Sequence, residues 1–141
     1  MITFTVPGVP QGKGRPRVGT ISGRARVFTP AKTVAYETLI AHAAQQAMAG
    51  RPLIDGQVSC SIAIDAPIPA SWSKRKQAAA LAGELMPTTK PDLDNVVKAI
   101  LDGCNGVAWR DDVQVVDLSV RKRYAATPGV RVTIAAGAGA A

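Results

Sequence analysis

Asp92 and Asp94 stand two residues apart, Lys98 follows on the same stretch, and a second acidic pair, Asp111 and Asp112, comes a little further along the chain. In an extended segment, residues i and i+2 project to one side, so the carboxylates of Asp92 and Asp94 would face the same way. If a helix begins near Asp94, Lys98 lies one turn on and on the same face. Folding the loop that carries Asp111 and Asp112 against that helix start would gather three carboxylates around a divalent cation. Magnesium suits such a site, because it takes oxygen ligands and keeps waters or substrate phosphate oxygens in its remaining positions. An ion held there could activate water against a phosphodiester, with Lys98 steadying a phosphate or the attacking water. The bland alternative is that Asp92 and Asp94 cap a helix and Lys98 pairs with Asp94 at i, i+4, an interaction of only about 0.2 to 0.5 kcal/mol. That alternative leaves the second acidic pair unexplained.

The distribution of charge favours the first reading. The 141 residues carry 17 Lys and Arg against 10 Asp and Glu, a formal net charge of +7. No acid precedes Glu37, yet Lys13, Arg15, Arg17, Arg24, Arg26 and Lys32 all do. Six of the ten acids fall between Asp92 and Asp117. A positive arm beside a focused acidic cluster points to a polyanionic partner and a bound cation.

Other chemistries fit less well. An EF-hand loop needs further acids and a glycine where Val96 and Val97 stand. His42 is the only histidine and has no acidic or thiol companion nearby; Cys60 and Cys104 lack the paired spacing of a zinc site. Gly12, Gly14 and Gly19 lack the Gly-Lys-Ser/Thr of a nucleotide-binding loop, so no nucleotide cofactor is expected. No stretch approaches the roughly 18 to 20 apolar residues that cross a bilayer, and no secretory signal order opens the chain. A soluble protein without membrane association, in a reducing cytoplasm, is expected.

The elements that must position these residues follow from periodicity. Ile2, Phe4 and Val6 alternate with Thr3 and Thr5, a half-buried strand closed by Pro7. Gln11 to Arg26 has almost no apolar content and reads as a basic surface loop. Thr29 and Pro30 form a helix start, and Tyr36, Leu39, Ile40, Ala43, Ala44, Ala47 and Met48 give that helix its inward face before Gly50. Val58, Cys60, Ile62 and Ile64 form a second strand. Ser71 to Ala82 has helical composition, with Lys74, Arg75 and Lys76 in its first turns, where cations oppose the helix dipole. A third helix, capped by Asp94 or Asn95, carries Val97, Ile100 and Leu101. Val116, Leu118 and Val120 then alternate with polar residues in a strand expected to pair with Val130 to Ile134 as a hairpin about Pro128 and Gly129. The order predicts one α+β domain, a small mixed sheet packed with helices, over residues 1–134, followed by a flexible Ala/Gly tail over residues 135–141.

Two segments then carry a family resemblance: Lys90-Pro-Asp-Leu-Asp-Asn-x-x-Lys98, and Trp109-Arg-Asp-Asp-x-Gln-Val-Val116. Together they resemble the RusA family of Holliday junction resolvases. Val9-Pro-Gln-Gly-Lys-Gly-Arg-Pro-Arg17 and Ser71-Trp-Ser-Lys-Arg-Lys76 are similar to forms found in phage and prophage members. The resemblance implies a RusA-like fold and a homodimeric endodeoxyribonuclease that uses magnesium, with manganese as a substitute, to place paired nicks in branched DNA, the four-way junction above all. A bacterial or phage-infected cytoplasm is its implied setting. Carried over by position, Asp92, Asp94 and Asp112 are the metal-binding carboxylates, Lys98 is the essential lysine and Asp111 supports the third ligand. Lys13, Arg15, Arg17, Arg24, Arg26, Lys74, Arg75, Lys76 and Lys90 are the expected DNA contacts, mainly to phosphates. The alternatives are a flap or fork nuclease of the same fold, a catalytically silent DNA-binding protein, and an RNA-binding protein, the last disfavoured by only six aromatic residues.

Overall fold

The computed structural model describes residues 1–14, 17–21, 23–28 and 31–137. Their order is β1 (Ile2–Pro7), β2 (Arg17–Ile21), β3 (Arg24–Phe28), α1 (Ala31–Met48), β4 (Val58–Pro67), α2 (Lys74–Leu81), α3 (Leu93–Cys104), a short 3-10 turn (Asp112–Gln114), β5 (Val115–Ala125) and β6 (Gly129–Ala136). The fold is α+β, with a four-stranded mixed sheet in the order β1-β6-β4-β5 and a separate two-stranded sheet, β2-β3.

Period-two patterning builds the main sheet. Ile2, Phe4 and Val6 from β1, Val58, Cys60, Ile62 and Ile64 from β4, and Val130, Val132 and Ile134 from β6 turn to one face and are buried. Tyr36, Ile40, Ala44 and Met48 of α1 and Val96, Val97, Ile100 and Cys104 of α3 belong to the same core. The intervening residues Thr3, Thr5, Ser61 and Arg131 stay exposed. Cys60 and Cys104 are buried free thiols, pushed up to about 12 by that burial, which keeps them protonated and inert.

Four features depart from the sequence reading. The basic stretch before residue 29 is no plain loop: Arg17 pairs with Phe28, Gly19 with Arg26 and Ile21 with Arg24 as an antiparallel ribbon. Leu39, assigned to the inner face of α1, is 38% exposed, and Thr33 is buried in the first turn instead. The proposed helix start at Thr29 and Pro30 lies outside the described residues. The tail begins later than expected, since Ala135 and Ala136 still pair with Ser59 and Val58.

The fourth departure is the last hairpin, which does not form. β5 runs parallel to β4, whereas β6 runs antiparallel to both β4 and β1. The connection from Ala125 to Gly129 therefore passes the end of β4 near Pro67 and enters its other side. Two strand spacings, about 9.5 Å, are within reach of a three-residue connection. Composition explains the choice. β6 buries Val130, Val132 and Ile134 and is hydrogen-bonded along both edges, while β5 carries Arg121, Lys122 and Arg123 and takes the edge, where charge is tolerated. Val116 and Leu118, assigned to a buried face, are 65% and 42% exposed.

Helices α1 and α3 touch where Gly103 meets Ile40. A Cβ at Gly103 would lie 2.7 Å from Ile40 Cγ2, and Ile40 is fully buried with nowhere to move. Gly103→Ala should therefore destabilise the protein by about 1 to 3 kcal/mol. Urea unfolding would show a lower midpoint at an unchanged slope, and an unshifted midpoint would mean that the helices separate without cost.

Candidate active site

Helix α3 is amphipathic, and its polar residues follow from its buried ones. With Val96, Val97, Ala99, Ile100, Gly103 and Cys104 buried, Asp94 and Lys98 are left exposed, and spacing of four places Asp94, Lys98 and Asp102 along one side. The helix starts earlier than expected. Asp92 is the capping residue in extended conformation, but its side chain makes no capping hydrogen bond. Asp94 falls inside the first turn, where its negative charge matches the helix dipole and its Oδ1 accepts from the Asn95 amide at 3.0 Å.

The segment before this helix is held from two sides. Lys122 of β5 donates from its ammonium to the carbonyls of Thr89 and Pro91, at 2.9 and 3.0 Å. From the other side, the Lys13 amide donates to Asn95 O at 3.0 Å, and the Gly14 amide donates to Thr33 Oγ1 at 2.8 Å. Gly12 is required there, because a Cβ would lie 2.9 Å from Asn95 Cβ. Gly12, Lys13, Lys90, Pro91, Asp92 and Asn95 thus line an open cleft of about 520 Å³.

Lys13 does more than line the cleft. Its ammonium pairs with Glu37 of α1 at 3.0 Å and with Asp102 of α3, joining the first loop to both helices. Burial works against its charge, but the hydrogen bonds to Asp102 and Glu37 outweigh it and hold the lysine above its ordinary value. A cation committed to two carboxylates is an anchor for the loop rather than a free phosphate contact.

The second acidic pair rests on Trp109 and Gln114. Trp109 is fully buried, and its indole N–H donates to Asn105 Oδ1 at 2.8 Å, just past the end of α3. Gln114 uses its whole side-chain amide. Its Oε1 accepts from the amides of Arg110 and Asp111 at 2.9 and 3.2 Å, and its Nε2 donates to the carbonyls of Ile54 and Gly56 at 2.9 and 2.8 Å. Asp111 completes a capping box, its carboxylate accepting from the Val113 amide. A hydrogen bond shared with Asp112, together with that amide, holds Asp111 below the usual carboxylate range. The same bond pushes Asp112 up, and partial burial and the charges of Asp102 and Asp111 add to the shift.

Asp112 lies within the field of Asp102, which stands in the last turn of α3. Among the described residues, no three Asp, Glu, His or Cys side chains converge closely enough to hold a metal ion as they stand. Of the expected DNA contacts, Lys74, Arg75 and Lys76 open α2 behind the Ser73 cap, all exposed, with the Lys76 ammonium 4.1 Å from the Trp72 ring centre. Arg24 and Lys90 are exposed, Arg17 and Arg26 lie on the β2-β3 ribbon, and Arg15 lies outside the described residues.

A family model described as endodeoxyribonuclease RusA matches residues 7–135. The chain belongs to the RusA endodeoxyribonuclease family. A protein of Bacillus subtilis (strain 168) described as uncharacterized protein YqaN is 42% identical over 137 residues, covering 94% of each chain. The RusA match spans both acidic pairs, the basic ribbon and α2. Among the described residues no helix is long and apolar enough to cross a membrane.

Two supports of the candidate site carry no signal that was read from the sequence. Gln114 was legible in principle, since an Asp followed three residues later by Gln is a capping-box signature. Lys122 had no such signal, because its partners lie more than thirty residues away.

Lys13→Met should cost about 1.5 to 3 kcal/mol, the range for hydrogen bonds to charged groups. Because folding raises the lysine's pKa, its contribution is complete below the ordinary value of 10.5 and is lost as pH climbs through the folded value. The stability gap between wild type and variant, read by urea unfolding, should stay constant from neutral pH up to the ordinary lysine value of 10.5 and close only above it. A gap that widens at alkaline pH would contradict the ion pair.

Proposed function

We propose that this RusA-family chain is a magnesium-dependent, structure-specific endodeoxyribonuclease that resolves four-way DNA junctions by paired, symmetric nicks. The observation that carries the reading is the exposed carboxylate of Asp92 at a cleft it shares with Lys90, two residues before Asp94, with Lys98 one turn beyond Asp94. On a chain of net charge +7, that carboxylate does none of the capping its position allows.

The donor set fits magnesium by chemistry, because every candidate ligand is a carboxylate oxygen and neither thiol nor imidazole competes. Asp92, Asp94 and Asp112 would hold the ion, drawing closer than they stand in order to do so, with Asp111 as the supporting carboxylate next to Asp112. Magnesium, when bound, supplies a water nucleophile at neutral pH and charge compensation at the departing oxygen.

The remaining work falls to the chain's own side chains. Lys98, exposed on the face that carries Asp94, would steady the phosphate under attack. Lys90 at the cleft, Arg24 on the ribbon and Lys74 and Arg75 on α2 would hold DNA through phosphates. Contacts of that kind position a junction without reading its sequence. Two symmetric nicks call for two active sites, so the reading includes a homodimer.

Asp94→Asn should reduce cleavage by about 100-fold or more while leaving junction binding intact or tighter. Lys98→Ala should also lose rate with binding largely kept. The assay compares a mobile four-way junction, a flap, a fork and linear duplex, each with magnesium and with chelator. Symmetric nicks confined to the junction and to magnesium support the reading. Equal cutting of flaps and forks would make the protein a general branched-DNA nuclease, and a wild-type rate for Asp94→Asn would remove the site. Replacing Lys74 and Arg75 by Ala should flatten the dependence of log binding constant on log salt by roughly one unit for each phosphate that is no longer neutralised. An unchanged slope would take α2 out of the interface.

A further inference from the structure

Beside the acidic cleft lies a second, more enclosed cavity of different character. It is a notch of about 230 Å³ between the ends of β4 and β5 and the segment that leads into α3. Lys90 and Pro91 line both cavities, so the notch opens next to Asp92. Its walls are chiefly apolar: Ile64, Ala66 and Pro67 of β4, Pro87 of the connecting segment, and the ring of Tyr124.

The polar groups are arranged in a telling way. Lys122 is committed to the carbonyls of Thr89 and Pro91, which fixes one wall and leaves that ammonium little capacity for a ligand. Lys90, by contrast, is exposed where the two cavities meet. Tyr124 is steadied by Trp72, packed edge-on at 5.3 Å, and Trp72 in turn lies beneath the Lys76 ammonium. An apolar slot with an aromatic wall and a cationic lip complements a nucleotide, with the base inside and the phosphate outside. Free phosphate would gain nothing from the walls, and a stacked base pair is too large for the space.

The geometry points to a nucleobase-binding notch: one unpaired base, adjoining the phosphate presented to Asp92, turns out of the stack and lodges against Tyr124. This rests on the nuclease reading above and deepens it, because it names the part of the substrate that the site recognises. A branch point lowers the cost of turning a base out, since pairing is already interrupted there. A base stacked on an aromatic wall returns roughly ten-fold in affinity or more. The notch would thus favour branched over linear DNA and give the enzyme whatever base preference it has, independently of the phosphate contacts.

The test uses the full-length protein and Val9→Trp, in which an indole is placed at the rim. Val9 is 53% exposed, so the fold should tolerate the change. A four-way junction is made with an abasic nucleotide at each position flanking the nick in turn. Wild type should fall roughly ten-fold in kcat/KM at one position, and Val9→Trp should cut the intact junction at that reduced rate with no further drop on the abasic one. A flat abasic scan for wild type, or an unaltered base dependence in Val9→Trp, overturns the notch while leaving the nuclease standing. In parallel, 2-aminopurine replaces the base at the same positions and emission is read on metal-free binding. An emission change in wild type that is absent from Val9→Trp supports the notch, and equal changes in both overturn it. If no DNA is cut at all, the nuclease reading falls and the emission measurement still decides the notch.

Discussion

The seating of α3 governs nearly everything else. Its stripe of Val96, Val97, Ile100 and Cys104 belongs to the core shared by the sheet and α1, and Gly103 gives α1 the close approach at Ile40. A helix fixed on one side has no freedom on the other. Rotating it to shelter Asp94 or Lys98 would expose the stripe, at about 25 cal/mol for each Å² of apolar surface returned to water. The acidic side of the helix is therefore a by-product of the core, and the loop around Gly12 and the anchor Lys13 fit against a surface that cannot turn away.

Rigidity reaches the two acidic pairs by different routes. The segment leading to Asp92 is tied down through backbone carbonyls by Lys122 and through Asn95 by the first loop. The segment holding Asp111 and Asp112 hangs from one saturated amide, Gln114, and one buried indole, Trp109. Asp111 is spent in a capping box and Asp94 meets the Asn95 amide, whereas Asp92 makes no capping hydrogen bond. A capping residue that leaves its own cap unmade keeps its carboxylate available to a ligand.

Much of the architecture was legible because it is local. Alternation in Ile2 to Val6 and Val58 to Ile64, the three-to-four spacing before Gly50, and the helical composition of Ser71 to Ala82 are all decided by residues within a few positions of one another. What was not legible depends on distant partners. Nothing within Val116 to Arg123 says that the strand will run parallel to β4 at an edge; its charges hint at an edge and its alternation suggests the opposite. The basic ribbon escaped notice because alternate apolar residues are scarce in it, and a two-stranded ribbon needs little core. The same division holds at the site. The residue types and their resemblance to RusA proteins were readable, whereas the way the Asp111 and Asp112 segment is carried depends on how Trp109 and Gln114 pack, and the carbonyl partners of Gln114 lie 60 and 58 residues away.

β6 follows every other element along the chain, yet it lies between β1 and β4 in the sheet. Until it arrives, the first strand and the fourth have no hydrogen-bonded neighbour between them, and the helices have only an incomplete floor on which to settle. Contacts between segments more than a hundred residues apart must close before most of the core exists, the condition that makes folding slow and leaves strand edges open meanwhile. For a chain emerging from a ribosome, the nuclease surface would be among the last things to take shape.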